Sequence, residues 1–446
     1  MKTAEYNIAV DHDDLGHSRL EITKWDYLLM YFVLLMSGNP FFQIQHNEEF
    51  LPISVIIPIV YYLRTGKFSV SYRTILIFTF MMGFELFHAF WYKLDYSLTF
   101  FKILFALLLG CVTMDILRDK FIEVLTRTMV FISLASFVFV VLCYVPGLNK
   151  FLYHLAEQLF PLEKDYKGYS QPTLLLFTFH PEFFEGKFSY TRNAGIFWES
   201  GAFAVYLNIT LFLYYSTLTI GRVKDLFDKK ATILIIALAS TTSTMGAISL
   251  VIQMVFFTMH LRSAAKYFLF PVILVMTGLA FTSVEFLGDK ITKQLGKADN
   301  DNNRFGSALM DWENIRERPL IGWSRRIEVV FGTDKFSDKT HRPNGLTNFL
   351  RSYGLIYFCF YFIMVYQGFA RVYNNYHPRS NPLVPAFGIL LLLMVSFSEL
   401  IFDLVFQKGL LFLYGAYRTG GTGMTSTAVK PMIMAKENLA QENGQP

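Results

Sequence analysis

Six residues of this chain have types and spacing suited to chemistry on a phosphate-bearing substrate: Arg192, Glu199, Arg304, His341, Arg342 and Asn344. Arg192 and Glu199 stand seven positions apart in "SYTRNAGIFWESGAF", residues 189–203, at the start of a long apolar run. Ionisable groups at membrane depth are costly unless they pair or let water in, so their presence there asks for a function. Arginine presents a fixed fork of donors to phosphate oxygens at any physiological pH. Histidine, with an unperturbed pKa of about 6.5, is the side chain best placed to take a proton from a hydroxyl. Arg192 and Arg304, with Arg342 next, are therefore candidates to clamp an anion. His341 is the candidate base, and Glu199 a residue to receive hydroxyls or pair with an arginine. Structural uses stand beside these: snorkelling for Arg192, a solvated loop for His341 and Arg342, and for Arg304 a helix N-terminus that suits a cation poorly.

The elements that must hold these residues are membrane helices. Of 446 residues, 53% are hydrophobic and 17% charged, and mean hydropathy is +0.36. That balance points to repeated membrane spans and an all-α polytopic fold. The 47 Phe and 25 Tyr suit lipid-facing and interfacial surfaces. Cys111, Cys143 and Cys359 lie in apolar runs without metal or redox spacing. Residues 1–24, including "DHDDLGHSRLE", lack the pattern of a secretory signal and read as a solvated tail. A net charge of +5 is modest and calls for no nucleic-acid partner.

Apolar segments between 25 and 416 predict about 12 transmembrane helices, among them 349–373, 383–402 and 403–416; 230–260 reads as two short spans or one broken helix. Arg and Lys concentrate in alternate loops, at 64–73, 118–120, 222–230, 262–266 and 371–379. By the positive-inside rule these are cytoplasmic, with both the 1–24 and 417–446 tails, and the long loops 146–194 and 287–348 lie outside. In the second loop, Phe305, Leu309 and Trp312 have helical spacing and Pro319 is a stop, predicting a helix over about 304–318. Given this orientation, Glu85, His88, Lys102, Glu199, Glu285, Glu399 and Asp403 fall in the outer half of the membrane. Glu123 and Arg127 lie near the opposite end with the i, i+4 spacing of a helix-surface pair. An outward bias of charge suits a hydrated cavity open to one side. A transporter instead calls for midplane groups on interrupted helices in repeated halves.

Four stretches, "TRNAGIFWES" (191–200), "NNRFGSALMDW" (302–312), "RPLIGW" (318–323) and "HRPNGLTNFLRSYGLIYF" (341–358), together resemble the bacterial O-antigen polymerase and O-antigen ligase superfamily. The likeness covers about 190–375 and is nearest to the polymerase branch. It departs at Glu199-Ser200-Gly201, where polymerases often carry Glu-Pro-Gly. It departs again at "STTSTMG", 240–246, where many relatives have Ser-Arg, so that turn is left out of the expected site. The resemblance implies a GT-C-like membrane core over 25–416. The implied activity is a metal-independent glycosyltransferase of the bacterial inner membrane, with its site facing the periplasm or cell exterior. Its donor would be an undecaprenyl-pyrophosphate-linked oligosaccharide, passed to a lipid-linked repeat unit in building O-antigen or another surface polysaccharide. Under that reading Arg192 and Arg304 hold the pyrophosphate, His341 takes the acceptor proton, and Glu199, Arg342 and Asn344 bind substrate. Membrane lipid and a chain-length regulator are the further expected partners. A ligase, passing the glycan to lipid A-core, and a lipid-linked oligosaccharide flippase are the alternatives. No metal site and no cofactor are expected: His-Glu-x-x-His, EF-hand spacing and a phosphate-cradling glycine loop are all missing from the sequence.

Overall fold

The computed structural model describes residues 22–65, 71–94, 98–162, 171–180, 191–261, 304–326 and 344–417, with further positions between 264 and 275 and at 329–330. The described chain is helical, as hydrocarbon demands of a backbone that must satisfy its own polar groups. Its described β-structure is one small hairpin. The first helices are α1 (Lys24–Gly38), α2 (Asn47–Ile53), α3 (Ile56–Thr65), α4 (Tyr72–Trp91), α5 (Leu98–Leu117), α6 (Phe121–Cys143) and α7 (Leu148–Leu159), and a π-helical turn, Pro40–Gln45, links α1 to α2. The hairpin follows, β1 (Thr173–Leu174) antiparallel to β2 (Phe177–Thr178). Then come α8 (Ser200–Tyr215), α9 (Lys229–Ser240), α10 (Thr244–Met259), α11 (Arg304–Glu317), α12 (Gly345–Tyr376), α13 (Leu383–Ser396), α14 (Val405–Leu410) and α15 (Leu413–Ala416).

Three described stretches are long and apolar enough to cross a membrane: Tyr72–Trp91, Phe100–Cys143 and Gly345–Tyr376. The second is two helices, α5 and α6, meeting at a 3-10 turn over Arg118–Lys120, where Arg118 has φ +44°. Shorter apolar stretches are Glu49–Tyr61, which spans α2 and α3, and the helices Ser200–Tyr215, Thr244–Met259 and Leu383–Ser396. Every residue of α8 is buried, which explains why its sequence is apolar on all sides. Residues 230–260 form two helices: α9 and α10 run in opposite directions along α8, joined by a turn at 241–243. The expected span 267–286 lies mostly outside the described residues, as do the two tails and much of both long loops.

The expected spans 383–402 and 403–416 are corrected. Helix α13 ends at Ser396, residues 397–404 are irregular, and the remainder is the short pair α14 and α15. Non-helical backbone between apolar helices is tolerated when it is buried in protein and bonded there; Leu404 N donates to Ile401 O at 3.0 Å, and the helix that follows is tied to its neighbours. Phe406 N donates to Ser37 Oγ at 2.8 Å, and Tyr361 OH donates to Gln407 O at 3.0 Å. Small residues bring α14 against α5: a Cβ on Gly110 would stand 2.7 Å from Gly409 N.

The described parts of four basic loops gather at one end of the molecule, as their alternation in the sequence leads one to expect. Lys120 pairs with Asp26 at 3.2 Å, and Lys230 with Glu123 at 2.7 Å. Arg371 Nε donates to Tyr417 O at 2.8 Å, and Arg73 lies 3.6 Å above the Tyr414 ring. Glu123 also holds Arg127 at 2.5 Å, the helix-surface pair its spacing suggested. At the opposite end, the described parts of both long loops pack onto the helices. Asn39 Nδ2 bonds Thr173 Oγ1 at 3.0 Å, and α7 closes over Phe177 and Phe179.

Candidate functional site

Two glycines set the site's geometry. Helix α12 breaks at Gly354, whose φ of +69° no side chain adopts cheaply. The turn 318–323 enters this break, and its own Gly322, also at φ +69°, meets Gly354 backbone to backbone. A Cβ on Gly354 would lie 2.4 Å from Leu320 O, and one on Gly322 would lie 2.6 Å from Gly354 N. The turn replaces bonds that the break leaves unmade: Leu355 N donates to Pro319 O at 2.8 Å, and Trp323 N to Arg351 O at 2.9 Å. From the other side α4 grips it, His88 Nε2 donating to Ile321 O at 2.7 Å and Tyr92 OH to Gly322 O. Trp323 Nε1 donates to Asn314 O at 2.8 Å, and Arg318 stacks 3.9 Å from the Trp323 ring.

This anchored turn carries Arg325 to the cluster at the α13–α14 interruption. Arg325 Nη1 lies 3.8 Å from Asp403 Oδ1, and Lys408 Nζ is 3.3 Å from the same oxygen. Tyr353 OH lies 2.7 Å from Glu85 Oε1 and 3.3 Å from Asp403 Oδ1, so its single proton serves one carboxylate at a time. Burial works against the charge of Arg325, but Asp403, Tyr353 and Glu85 outweigh it and raise its pKa further above the usual arginine range. Arg325 is a permanent cation. A second pair adjoins: Arg351 Nε is 3.6 Å from Asp311 Oδ1, both side chains being buried, and Thr347 Oγ1 donates to Asp311 Oδ2 at 2.7 Å. Arg351 Nη2 donates to Asn348 Oδ1 at 2.5 Å.

These groups surround a cavity of about 610 Å³. Lys102, Arg325, Arg351 and Lys408 line it, with Asp403 the one carboxylate among its described lining residues. Glu85 and Asp311 stand behind that wall, so four cations face three acids, with the acids mostly set back. Such an arrangement offers cationic hydrogen-bond donors to an anion without isolating a large charge in the protein.

The residues expected from the sequence fall differently. His341 and Arg342 lie outside the described residues. Asn344 is buried and caps α12, its Oδ1 accepting from Thr347 N at 3.0 Å, beside the cavity residue Gly345. Glu199 is the N-cap of α8. A Cβ on Gly201 would lie 3.7 Å from Glu199 Oε1 and 2.2 Å from Glu399 Oε1, so the two carboxylates converge where Gly345 also packs on Glu399 O. Arg304 is the first residue of α11. Arg192 Nε donates to Thr242 Oγ1 at 3.2 Å, at the turn between α9 and α10, and neither Arg192 nor Glu199 is among the cavity's described lining residues.

Helix α11 forms where its spacing and Pro319 put it, yet it turns a different face inward. Leu309 and Trp312 are exposed, while Ser307, Asp311 and Ile315 are buried. The reason is the buried ion pair: Asp311 must reach Arg351 and Thr347, which points the 307–311–315 face at α12. Sequence reasoning reached Glu85, Lys102 and Asp403 through their depth, and overlooked Arg325, Arg351 and Lys408. Lys408 carried a usable signal, being a lysine inside an apolar run. Among the described residues no group of three or more His, Cys, Asp and Glu side chains could hold a metal ion. No family model, curated protein or solved structure matches the chain.

Proposed function

We propose that this protein is a membrane glycosyltransferase that takes a glycan from undecaprenyl pyrophosphate and adds it to a lipid-linked repeat unit, as a polysaccharide polymerase of the bacterial inner membrane. The observation that carries the reading is the cavity wall, where Arg325, Arg351, Lys102 and Lys408 come from four separate parts of the chain to one chamber. A pyrophosphate leaving group needs charge stabilisation and alignment more than strong acid catalysis, and fixed arginines supply both. The interlocked glycines add support, because they join "RPLIGW" to "LRSYG", two of the pieces on which the resemblance rests. The site would face the periplasm or cell exterior, opposite the basic loops.

One observation favours a second reading. The irregular segment 397–404, carrying Glu399 and Asp403 between two helices, is also the kind of element a carrier uses to bind an ion or substrate. Purified protein in lipid nanodiscs, supplied with undecaprenyl-pyrophosphate-linked repeat units, separates the possibilities. The polymerase yields carriers with two or more units and releases free undecaprenyl pyrophosphate, and Arg325→Ala lowers that yield about 10–100-fold, the worth of one charged hydrogen bond. Glycan passing only to added lipid A-core makes it a ligase. Unchanged donor that merely crosses the bilayer of proteoliposomes makes it a flippase and ends the transferase reading.

A further inference from the structure

Three carboxylates adjoin the cavity's cations, and burial separates their uses. Asp311 is fully enclosed, with its side chain 0% exposed against Arg351. Glu85 is buried behind Tyr353, which donates to it. Asp403 alone of the three lines the chamber, and its side chain is 45% exposed. Its contacts are also one-sided: Arg325, Lys408 and the Tyr353 hydroxyl all approach Oδ1, and no described residue bonds Oδ2. One oxygen is anchored by three described groups and the other by none, on a side chain that is itself exposed.

We infer that Asp403 is the catalytic base, its Oδ2 taking the proton from the attacking acceptor hydroxyl while Oδ1 is held by Lys408, Arg325 and Tyr353. The inference rests on the transferase reading proposed above. In the step, the acceptor O–H proton passes to Asp403 Oδ2, and the freed oxygen pair forms the bond to the donor's anomeric carbon. The bond from that carbon to the pyrophosphate oxygen breaks, its electron pair leaves with the pyrophosphate, and the charge developing there falls beside Arg325, Arg351 and Lys408. The proton on Asp403 returns to water before the next turnover, so atoms and charge balance without a metal or redox partner. The arrangement also couples donor to base. Pyrophosphate oxygens compete with Asp403 Oδ1 for Arg325 and Lys408, and a carboxylate that loses cationic neighbours becomes the stronger base. Asp403 is thus most basic when the donor is seated.

Asp403→Asn keeps the shape and removes the ability to accept a proton. In nanodiscs, binding of a short prenyl pyrophosphate to this variant is expected to stay within a few-fold of the unaltered protein or to tighten, since a competing anion is gone. The kcat for transfer is expected to fall at least about 100-fold, the usual worth of a general base, with partial recovery in Asp403→Glu. Transfer within tenfold of the unaltered protein overturns the inference. So does a parallel loss of binding and transfer, because Asp403 would then only brace the cations. Loss of transfer in His341→Ala, with Asp403→Asn still active, moves the role to the histidine and overturns it too. Unaltered protein that binds prenyl pyrophosphate yet never forms a glycosidic bond defeats the transferase reading itself, a distinct result.

Discussion

At the residue scale, the two arginines of the chamber wall bear differently on the fold, though both face the anion. Arg351 and Asp311 are both buried, and removing one partner strands the other charge away from water, at a cost of about 3–5 kcal/mol. Arg351→Met alone is therefore expected to lower the thermal unfolding temperature markedly. The double variant Arg351→Met with Asp311→Leu is expected to recover most of that loss, because no charge is left buried, while its affinity for a prenyl pyrophosphate stays low. Thermal unfolding and ligand titration on the three proteins check both halves; a double variant no more stable than the single one contradicts the pairing. Arg325 differs because it reaches the chamber from a turn and keeps a side-chain exposure of 21%. Its loss should spare the fold and weaken the anion.

At the scale of elements, the decisive joint is the insertion of the 318–323 turn into the break of α12. Gly354→Ala meets two penalties. A φ of +69° with ψ 178° is open almost to glycine alone and costs a residue with a side chain about 1–3 kcal/mol, and the new Cβ collides with the Leu320 carbonyl. Gly83→Ala on α4 is the control, since a Cβ there meets nothing within 4 Å. Calorimetry or thermal unfolding in detergent is expected to show a large loss for Gly354→Ala and no loss for Gly83→Ala; equal midpoints for the two remove the joint from the account. The joint also explains how a loop and a span cooperate. Arg325 follows Gly322 by three residues and Arg351 precedes Gly354 by three, so seating the glycines brings both arginines to the chamber together.

At the scale of the whole molecule, the basic loops share one end and the site elements lie toward the other. The positive-inside rule predicts that the basic end faces the cytosol. In a chain whose exposed Cys359 is replaced by Ser, a cysteine at Glu317 is expected to react with a membrane-impermeant maleimide added to intact cells. One at Lys229 is expected to react only after the membrane is opened. Both positions are exposed, so the contrast reads sidedness alone. Labelling of Lys229→Cys in intact cells reverses the orientation and puts the chamber on the cytosolic side.

The sequence by itself determined what depends on composition and order: a mostly helical chain with apolar helices long enough to cross a membrane, the shared end of its described basic loops, and the α11 helix with its stop at Pro319. These follow from transfer free energies and local backbone rules, which act residue by residue. Tertiary structure decided which charges meet. Arg192 reaches the turn between α9 and α10, whereas Arg325, Arg351 and Lys408 reach the cavity, where the packing of Gly322 on Gly354 and of Gly110 on Gly409 helps to set the segments that carry them. It also decided that 397–404 is not helical. Hydropathy registers an apolar run without seeing the neighbouring side chains and carbonyls that let its backbone leave the helix.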